Sequence, residues 1–508
     1  MKFRGITALS LLALGVSGSA CGSGGEPGPS GGTATSGGTS ASGGGAVGGS
    51  GPASGGLHSG GSSAGASSNG GASLGGSGAG GSPEAGGNGP QSGGADGSGG
   101  AQAADFVVEV ELASEVEPSA PGTVGIVTWS LPGAAAESAR IEFGLTTDYG
   151  MTAPVDLEQE GYRTLLLGMK PEQTYHFRVV ATQEGQEFVS DDYTVETGPK
   201  TTLASITQFQ VISADKREPG FILTSYWQGM QTGMVFILDE DGEIVWWYDS
   251  GMTGGVAKAA ISADGRDMWL ISASNQGAPV QRVSLDTLDA ETYPNAVGSH
   301  DIQAGVGGTM VFIEYGESDC DSAWEIEKDG TTKEVLELED FTPKGSCHGN
   351  SLAYSKAKDS YVMSSLDVDA FVFPRAGGTS SNVTRLTTTA GAISTWGGLQ
   401  HGVQLLSDNH LLIFANREGG NMGPSVAIEY ALDSGEEVWR YEGGQFTANL
   451  GDVQRLPGGN TLVTYSNAGI IHEVTPDQEK VLQITAQKNL GYAAWRRSLY
   501  GDSDDSLE

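Results

Sequence analysis

Short runs that alternate apolar and polar residues, a unit of about 50 residues that recurs, and a long Gly/Ser/Ala tract with nothing to bury predict the fold class. It is all-β: a six-bladed β-propeller preceded by a small β-sandwich and a disordered Gly/Ser-rich linker. The chain has 508 residues, and 34 of its 81 glycines lie between Cys21 and Ala104, leaving enough sequence after them for one small and one large domain. The 26 Lys and Arg against 62 Asp and Glu give a net charge of −36. Such a surface repels phosphate backbones and anionic lipid heads, so no nucleic acid is expected as a partner.

Residues 1–21 read as an address. Lys2 and Arg4 precede an apolar run from Ile6 to Val16, which is too short to span a bilayer, and Gly18-Ser19-Ala20 leads into Cys21. That cysteine resembles the acylated cysteine of bacterial lipoproteins, although Gly18 stands where such signals carry leucine. An ordinary cleaved secretory signal is the alternative, and both readings export the protein. Lipidation at Cys21 would anchor it to a membrane, expected to be the outer one, facing periplasm or cell surface. Residues 22–104 are a tether whose only acids are Glu26, Glu84 and Asp96, a composition that cannot offset its ordering entropy. As a flexible coil it has a root-mean-square span of about 45–50 Å.

Residues 105–198 alternate with period two, as in Phe106 to Leu112 and Gly125 to Trp129, between Pro, Gly and Glu turns, which predicts the sandwich. The stretch from Leu167 through Pro171 and Tyr175 to Ala181 resembles the late strands of a fibronectin type III domain. The resemblance covers about 90 residues and implies that the Tyr175 hydroxyl bonds backbone at the turn while Trp129 packs in the core. His176 reads as an exposed strand residue.

Residues 201–490 hold the repeat. Segments beginning at Ala259, His300, His348, His401 and Gly451 each open with a short strand, and the last four starts lie 48, 53 and 50 residues apart. Further strands follow in each unit, such as Met310–Tyr315, Leu411–Ala415, Val426–Tyr430 and Glu437–Tyr441. Four strands at that period mean propeller blades. Gly220–Thr224, Met234–Leu238 and Ile244–Tyr248 supply one more blade before Ala259, making six. Asp239-Glu240-Asp241-Gly242 reads as a hairpin turn, since the distal Glu of a calcium loop is missing. Residues 491–508 read as a tail.

The innermost strand of each blade borders the central channel, and its first residue lies at one mouth. His300, His348 and His401 share that position in three successive blades, although the chain has only 7 histidines, so the three are expected to converge. The others do not share it: His58 is in the linker, His410 at a hairpin turn and His472 on an outer strand. Loops between second and third strands open on the same face, bringing Asn416, Arg417, Tyr226, Trp227, Asn275, Ser365, Leu366 and Asn467 there. Imidazoles, a guanidinium, amides and aromatic rings suit an aromatic anion. Cys320 and Cys347 fall on this face too and in an exported protein are expected to pair. The rival is a zinc site built from Cys347, His348 and His401, which no CxxC or HExxH spacing supports.

His300-Asp301-Ile302, His348-Gly349-Asn350-Ser351-Leu352, Gln400 to Leu406 and Leu411 to Asn416 resemble the bacterial arylsulfate sulfotransferases, a six-bladed propeller family, across about 290 residues. The resemblance implies that His401 is the nucleophile that is transiently sulfated. It also implies that His300 and His348, with Asn350, bind the sulfuryl or phenolic oxygens. Aryl sulfates and phenols are the expected partners, and neither a cofactor nor a metal is required. One position departs from the family: its arginine after a Ser-Ser pair is Leu366 here, after Ser364-Ser365, and Arg417 in the equivalent loop of the next blade is the candidate replacement. A non-catalytic surface propeller that binds a ligand or polymer with the same face is the alternative. The chemistry stands without the family, because neutral imidazole is a competent nucleophile and fixed donors stabilise the charge spread over a transferring group.

Overall fold

The computed structural model describes residues 102–103, 105–113, 120–204, 206–227, 233–252, 254–274, 276–316, 320–342, 347–366, 370–379, 381–388, 391–392, 399–417 and 423–501. Cys21 with its signal segment, nearly all of the 22–104 tract, His58 and Asn275 lie outside the described residues. At the end of that tract, Gln102–Ala103 pairs parallel to Gln186–Val189, so the sandwich begins slightly before residue 105.

The sandwich has one sheet of Val107–Leu112, Gly125–Ser130 and Thr164–Leu166. The other is built on the pair Ser138–Gly144 and Thr174–Gln183, with Met151–Pro154, Gln186–Val189 and Tyr193–Glu196. Period-two alternation sends Trp129, Phe143, Tyr175 and Phe177 into one core. The Tyr175 hydroxyl accepts the Lys170 N–H at 2.9 Å, fastening the turn as expected. His176 lies 2.7 Å from the Asp192 carboxylate on the outer side.

Six antiparallel blades make the propeller, the second and third joined into one sheet through Ala290–Ala304. The inner strands of the second to sixth blades are Val256–Ile261, the second half of Ala290–Ala304, Gly349–Ser355, Gln400–Leu405 and Asp452–Arg455. Intermediate strands such as Met234–Leu238, Met310–Glu314 and His410–Ala415 are buried almost throughout, because blades stack face to face; hence their unbroken apolar runs. The Asp239 carboxylate accepts the N–H groups of Asp241 and Glu243 at 3.0 and 2.8 Å, and Gly242 takes φ +82°, so this segment is a hairpin turn.

Ring closure corrects one expectation, the tail. Phe221–Ser225 is the second strand of its blade; the inner one is Ala494–Arg496, from the segment read as a tail, with Ile222 opposite Trp495. Ile206–Val211 runs antiparallel along Lys480–Ala486 and adds a fifth strand to the last blade. Strands from early and late in the propeller segment thus share the first and last blades and close the ring. Glutamines three residues after the repeat position tie blade to blade. Gln404 accepts the Arg455 N–H at 2.8 Å, Gln454 accepts the Trp495 N–H at 2.7 Å, and Gln303 donates to the Leu352 carbonyl.

The sandwich seats on the first two blades. Val124, Ile126, Leu165 and Leu167 share a core with Leu223, Val245, Trp246 and Leu285. Thr123 donates to the Val245 carbonyl at 2.6 Å, Tyr500 bridges Leu165 and Leu167, and Lys200 pairs with Glu243 at 2.7 Å. These contacts use turns after third strands, on the face opposite the starts of the inner strands. The sandwich therefore leaves the histidine mouth uncovered.

Candidate functional site

Four of the inner strands open with a register shift: Val256/Lys258, Gly298/Ile302, Gly349/Ser351 and His401/Val403. A bulge leaves one residue out of the ladder and re-aims its side chain. The skipped residues are Ala257, Ser299 to Asp301, Asn350 and Gly402, at or within two residues of the repeat position, while His401 stays paired with Phe414. His300 takes φ +67° and Gly402 takes φ +48°, and a Cβ on Gly402 would stand 2.7 Å from an Asp452 carboxylate oxygen, so only glycine fits. The result is convergence. The His300 and His348 ring centroids are 4.7 Å apart and nearly perpendicular, and those of His300 and His401 are 6.2 Å apart.

The tautomer of His401 follows from its neighbour. Asn416 is fully buried, and its Nδ2 donates to the carbonyls of Thr447 and Leu450 at 3.0 and 2.7 Å, which leaves Oδ1 as an acceptor. That oxygen lies 2.7 Å from His401 Nδ1, so Nδ1 carries the proton and Nε2 the lone pair. Asn416, expected to bind substrate, has both ends of its amide engaged within the protein. Asn467 stands behind it, its Oδ1 accepting from Thr447 Oγ1 and from the N–H groups of Ala448 and Asn449 at 2.8–2.9 Å.

Burial pushes His401 down to about 4, against the hydrogen bonds of Asn416 and Leu399 that favour the proton. Burial also holds His300 well below the usual range, assisted by His348 and His401. Both rings are neutral at pH 7. His401 therefore takes a second proton only as pH falls through about 4, and histidine NMR across pH checks this. The stability consequence has a fixed sign. Between the ordinary imidazole value of 6.5 and about 4 the unfolded chain binds the proton that folded His401 refuses, so His401 contributes full stability above that window and less as pH falls through it. Denaturant melts at pH 7 and pH 5 measure the difference.

His348 is the more open ring, with 32% of its side chain exposed, and its Nδ1 lies 3.3 Å from the carboxylate of buried Asp321. Asp321 was not singled out in the sequence. Cys320 and Cys347, the residues immediately before Asp321 and His348, are disulfide-bonded with their Cα atoms 4.8 Å apart. The bond takes Cys347 out of the rival zinc site. It closes a loop across 27 residues, and replacing both cysteines with serine is expected to cost about 3–4 kcal/mol. Urea titration of the double variant checks that value.

One residue further along the strands lies a second layer. Lys258 Nζ sits 2.8 Å from Asp301 Oδ1, and Asp301 Oδ2 accepts from Ser351 Oγ and the Leu352 N–H at 3.1 and 2.9 Å. Burial opposes the Lys258 ammonium, but Asp301 and Asp452 outweigh it and raise its pKa, while burial pushes Asp452 up to about 7 against the pull of Lys258. Tyr492 donates across the channel to the Asn350 carbonyl at 2.9 Å. On the side away from the imidazoles, a cavity of about 270 Å³ is lined by all six inner strands.

Asn350 is fully buried; its Nδ2 donates to the Gln400 carbonyl at 2.9 Å, holding the strand just before His401, and its Oδ1 has no hydrogen-bond partner among the described residues. Arg417 directly follows Asn416, is half-buried, and its Nε has no hydrogen-bond partner among the described residues. The Leu366 N–H donates to the His348 carbonyl at 2.8 Å, which sets an apolar residue beside the cluster. Tyr226 and Trp227 are buried. His410 is engaged elsewhere, 2.6 Å from Glu429, with Asp408 at 3.3 Å. These three could hold a cation, but Arg455 pairs with Glu429. His472 is buried beside Tyr441 and Tyr465.

The strand pairing and the channel mouth define the class of protein, a six-bladed β-propeller with an imidazole-lined mouth. No family model matches the chain, and no curated protein matches it. Among solved structures it is similar to TolB from Acinetobacter baumannii (13% identity, TM-score 0.42, covering 65% of this chain and 80% of that one). It is also similar to selenomethionine-substituted virginiamycin B lyase from Staphylococcus aureus (16%, 0.36, 55% and 88%) and to dihydro-heme d1 dehydrogenase NirN (17%, 0.33, 60% and 67%). At these values no chemistry is taken from them.

Proposed function

We propose that the protein is an exported aryl sulfotransferase, which moves a sulfuryl group from an aryl sulfate to a phenol through a sulfohistidine at His401. The observation that carries this reading is the hydrogen bond from His401 Nδ1 to an Asn416 oxygen whose own amide is pinned by two carbonyls, because it leaves Nε2 unprotonated in a ring kept neutral by burial. Nε2 attacks sulfur, the S–N bond forms and the aryl S–O bond breaks; a phenol then attacks the same sulfur and regenerates the imidazole. His300 and His348 flank the transferring group, and Arg417 supplies the positive charge that Leu366 does not. The resemblance to arylsulfate sulfotransferases supports the same assignment. Cys21 would tether the enzyme to the outer membrane through the flexible tract.

The test uses purified protein, a chromogenic aryl sulfate and a series of phenols. Sulfated acceptor formed in step with released phenol supports the reading, and intact donor under every acceptor overturns it. Leu366 favours a second reading, a propeller that binds a ligand without turnover; stoichiometric binding that survives His401→Ala would select it. On the first reading, Arg417→Ala is expected to weaken the donor KM by about tenfold, measured in the same assay.

A further inference from the structure

Of the three imidazoles at the mouth, only one has a carboxylate beside it among the described residues. The geometry points to Asp321 as the positioning residue that makes His348, and not His300, the acid–base group at the phenolic oxygen. The inference rests on the sulfotransfer reading and adds a residue to it. His300 Nδ1 lies 2.6 Å from the Ser299 hydroxyl, a neutral partner, and its ring is fully enclosed. His348 is partly open to solvent and faces Asp321 Oδ2 at 3.3 Å.

The carboxylate is itself held. Asp321 Oδ2 accepts the Gly349 N–H at 2.8 Å, and the Asp321 N–H donates to the Cys347 carbonyl at 3.0 Å. The Cys320–Cys347 bond ties together the residues preceding both partners, so acid and imidazole cannot drift apart while it is intact. Glu314 adds to the local field: burial, then Glu334, Glu337 and Asp321, push its carboxyl up to about 7. Asp321 sets a negative partner beside His348 Nδ1, whereas buried His300, held well below the usual imidazole range, meets only a hydroxyl.

The proton then cycles with the sulfuryl group. In the first half-reaction His401 Nε2 bonds to sulfur while the aryl S–O bond breaks, and the His348 Nε2 proton passes to the departing oxygen, releasing a neutral phenol. In the second, the acceptor phenol gives its proton to His348 Nε2 as its oxygen bonds to sulfur and the S–N bond breaks. Both imidazoles return to their starting states, and no proton is gained or lost.

Leaving-group dependence tests this in the full chain. Protonation matters little for a phenol that departs readily and greatly for one that does not. Asp321→Asn is expected to lower kcat about 10²-fold for aryl sulfates of weakly acidic phenols and only a few-fold for a nitrophenyl sulfate, with KM little changed. Equal losses for both donors, or no loss, overturn the role of Asp321. Histidine 15N NMR without substrate gives an independent readout, with His348→Gln assigning the signal. The His348 ring signals are expected to differ between the variant and the wild type, and unchanged signals contradict the pairing. A wild-type chain that turns over no aryl sulfate removes the reaction and this acid–base role with it, while the NMR still reports whether the pair exists.

Discussion

His401→Ala is expected to lower sulfuryl transfer by about 10⁴-fold or more, because removal of a nucleophile takes away the covalent route and leaves only the surrounding donors. The loss belongs to chemistry and not to folding. His401 stands near the start of a strand held by its backbone pairing and by two neighbouring side chains: Asn350 donates to the Gln400 carbonyl, and Ser351 Oγ accepts the Val403 N–H at 3.0 Å. The variant strands one acceptor, Asn416 Oδ1, at a cost of about 1–3 kcal/mol. Stopped assays over hours, with circular dichroism and a thermal melt beside them, separate the two effects. Activity within a few-fold of wild type would remove His401 from the reaction.

Asn416→Ala is expected to lower kcat by about 10²–10⁴-fold while leaving the donor KM nearly unchanged, since an imidazole in the wrong tautomer is present but unable to attack. The variant keeps every atom of the nucleophile and deletes only the acceptor that fixes its proton. It also frees the carbonyls of Thr447 and Leu450, so a drop in melting temperature accompanies it. The split between kcat and KM is the informative part. Histidine 15N shifts should show His401 leaving the Nδ1-protonated form, and a variant with wild-type kcat would mean that Asn416 does not set the tautomer.

The mouth was legible because a repeat turns sequence position into spatial position. His300, His348 and His401 stand at one place in a unit of about 50 residues, and inner strands that begin alike must end around one axis. The same reasoning puts Asn416 and the Cys320–Cys347 pair on the face of the histidines. It cannot say which way a side chain turns, so the bonds of Asn416 to His401 and of Asn350 to the Gln400 carbonyl show only in the structure. Asp321 stayed hidden because its partner, His348, belongs to the next blade, and no spacing within a unit relates them. The Ala494–Arg496 strand was missed for a simpler reason: three residues carry no period, and its place is dictated by closure of the ring.

The most direct measurement is peptide mass spectrometry after the full chain is mixed with an aryl sulfate in the absence of acceptor and quenched under alkaline conditions. The account predicts a sulfuryl increment on the peptide containing His401, lost when a phenol is added before the quench. Turnover without that adduct, or an adduct on another residue, would contradict it.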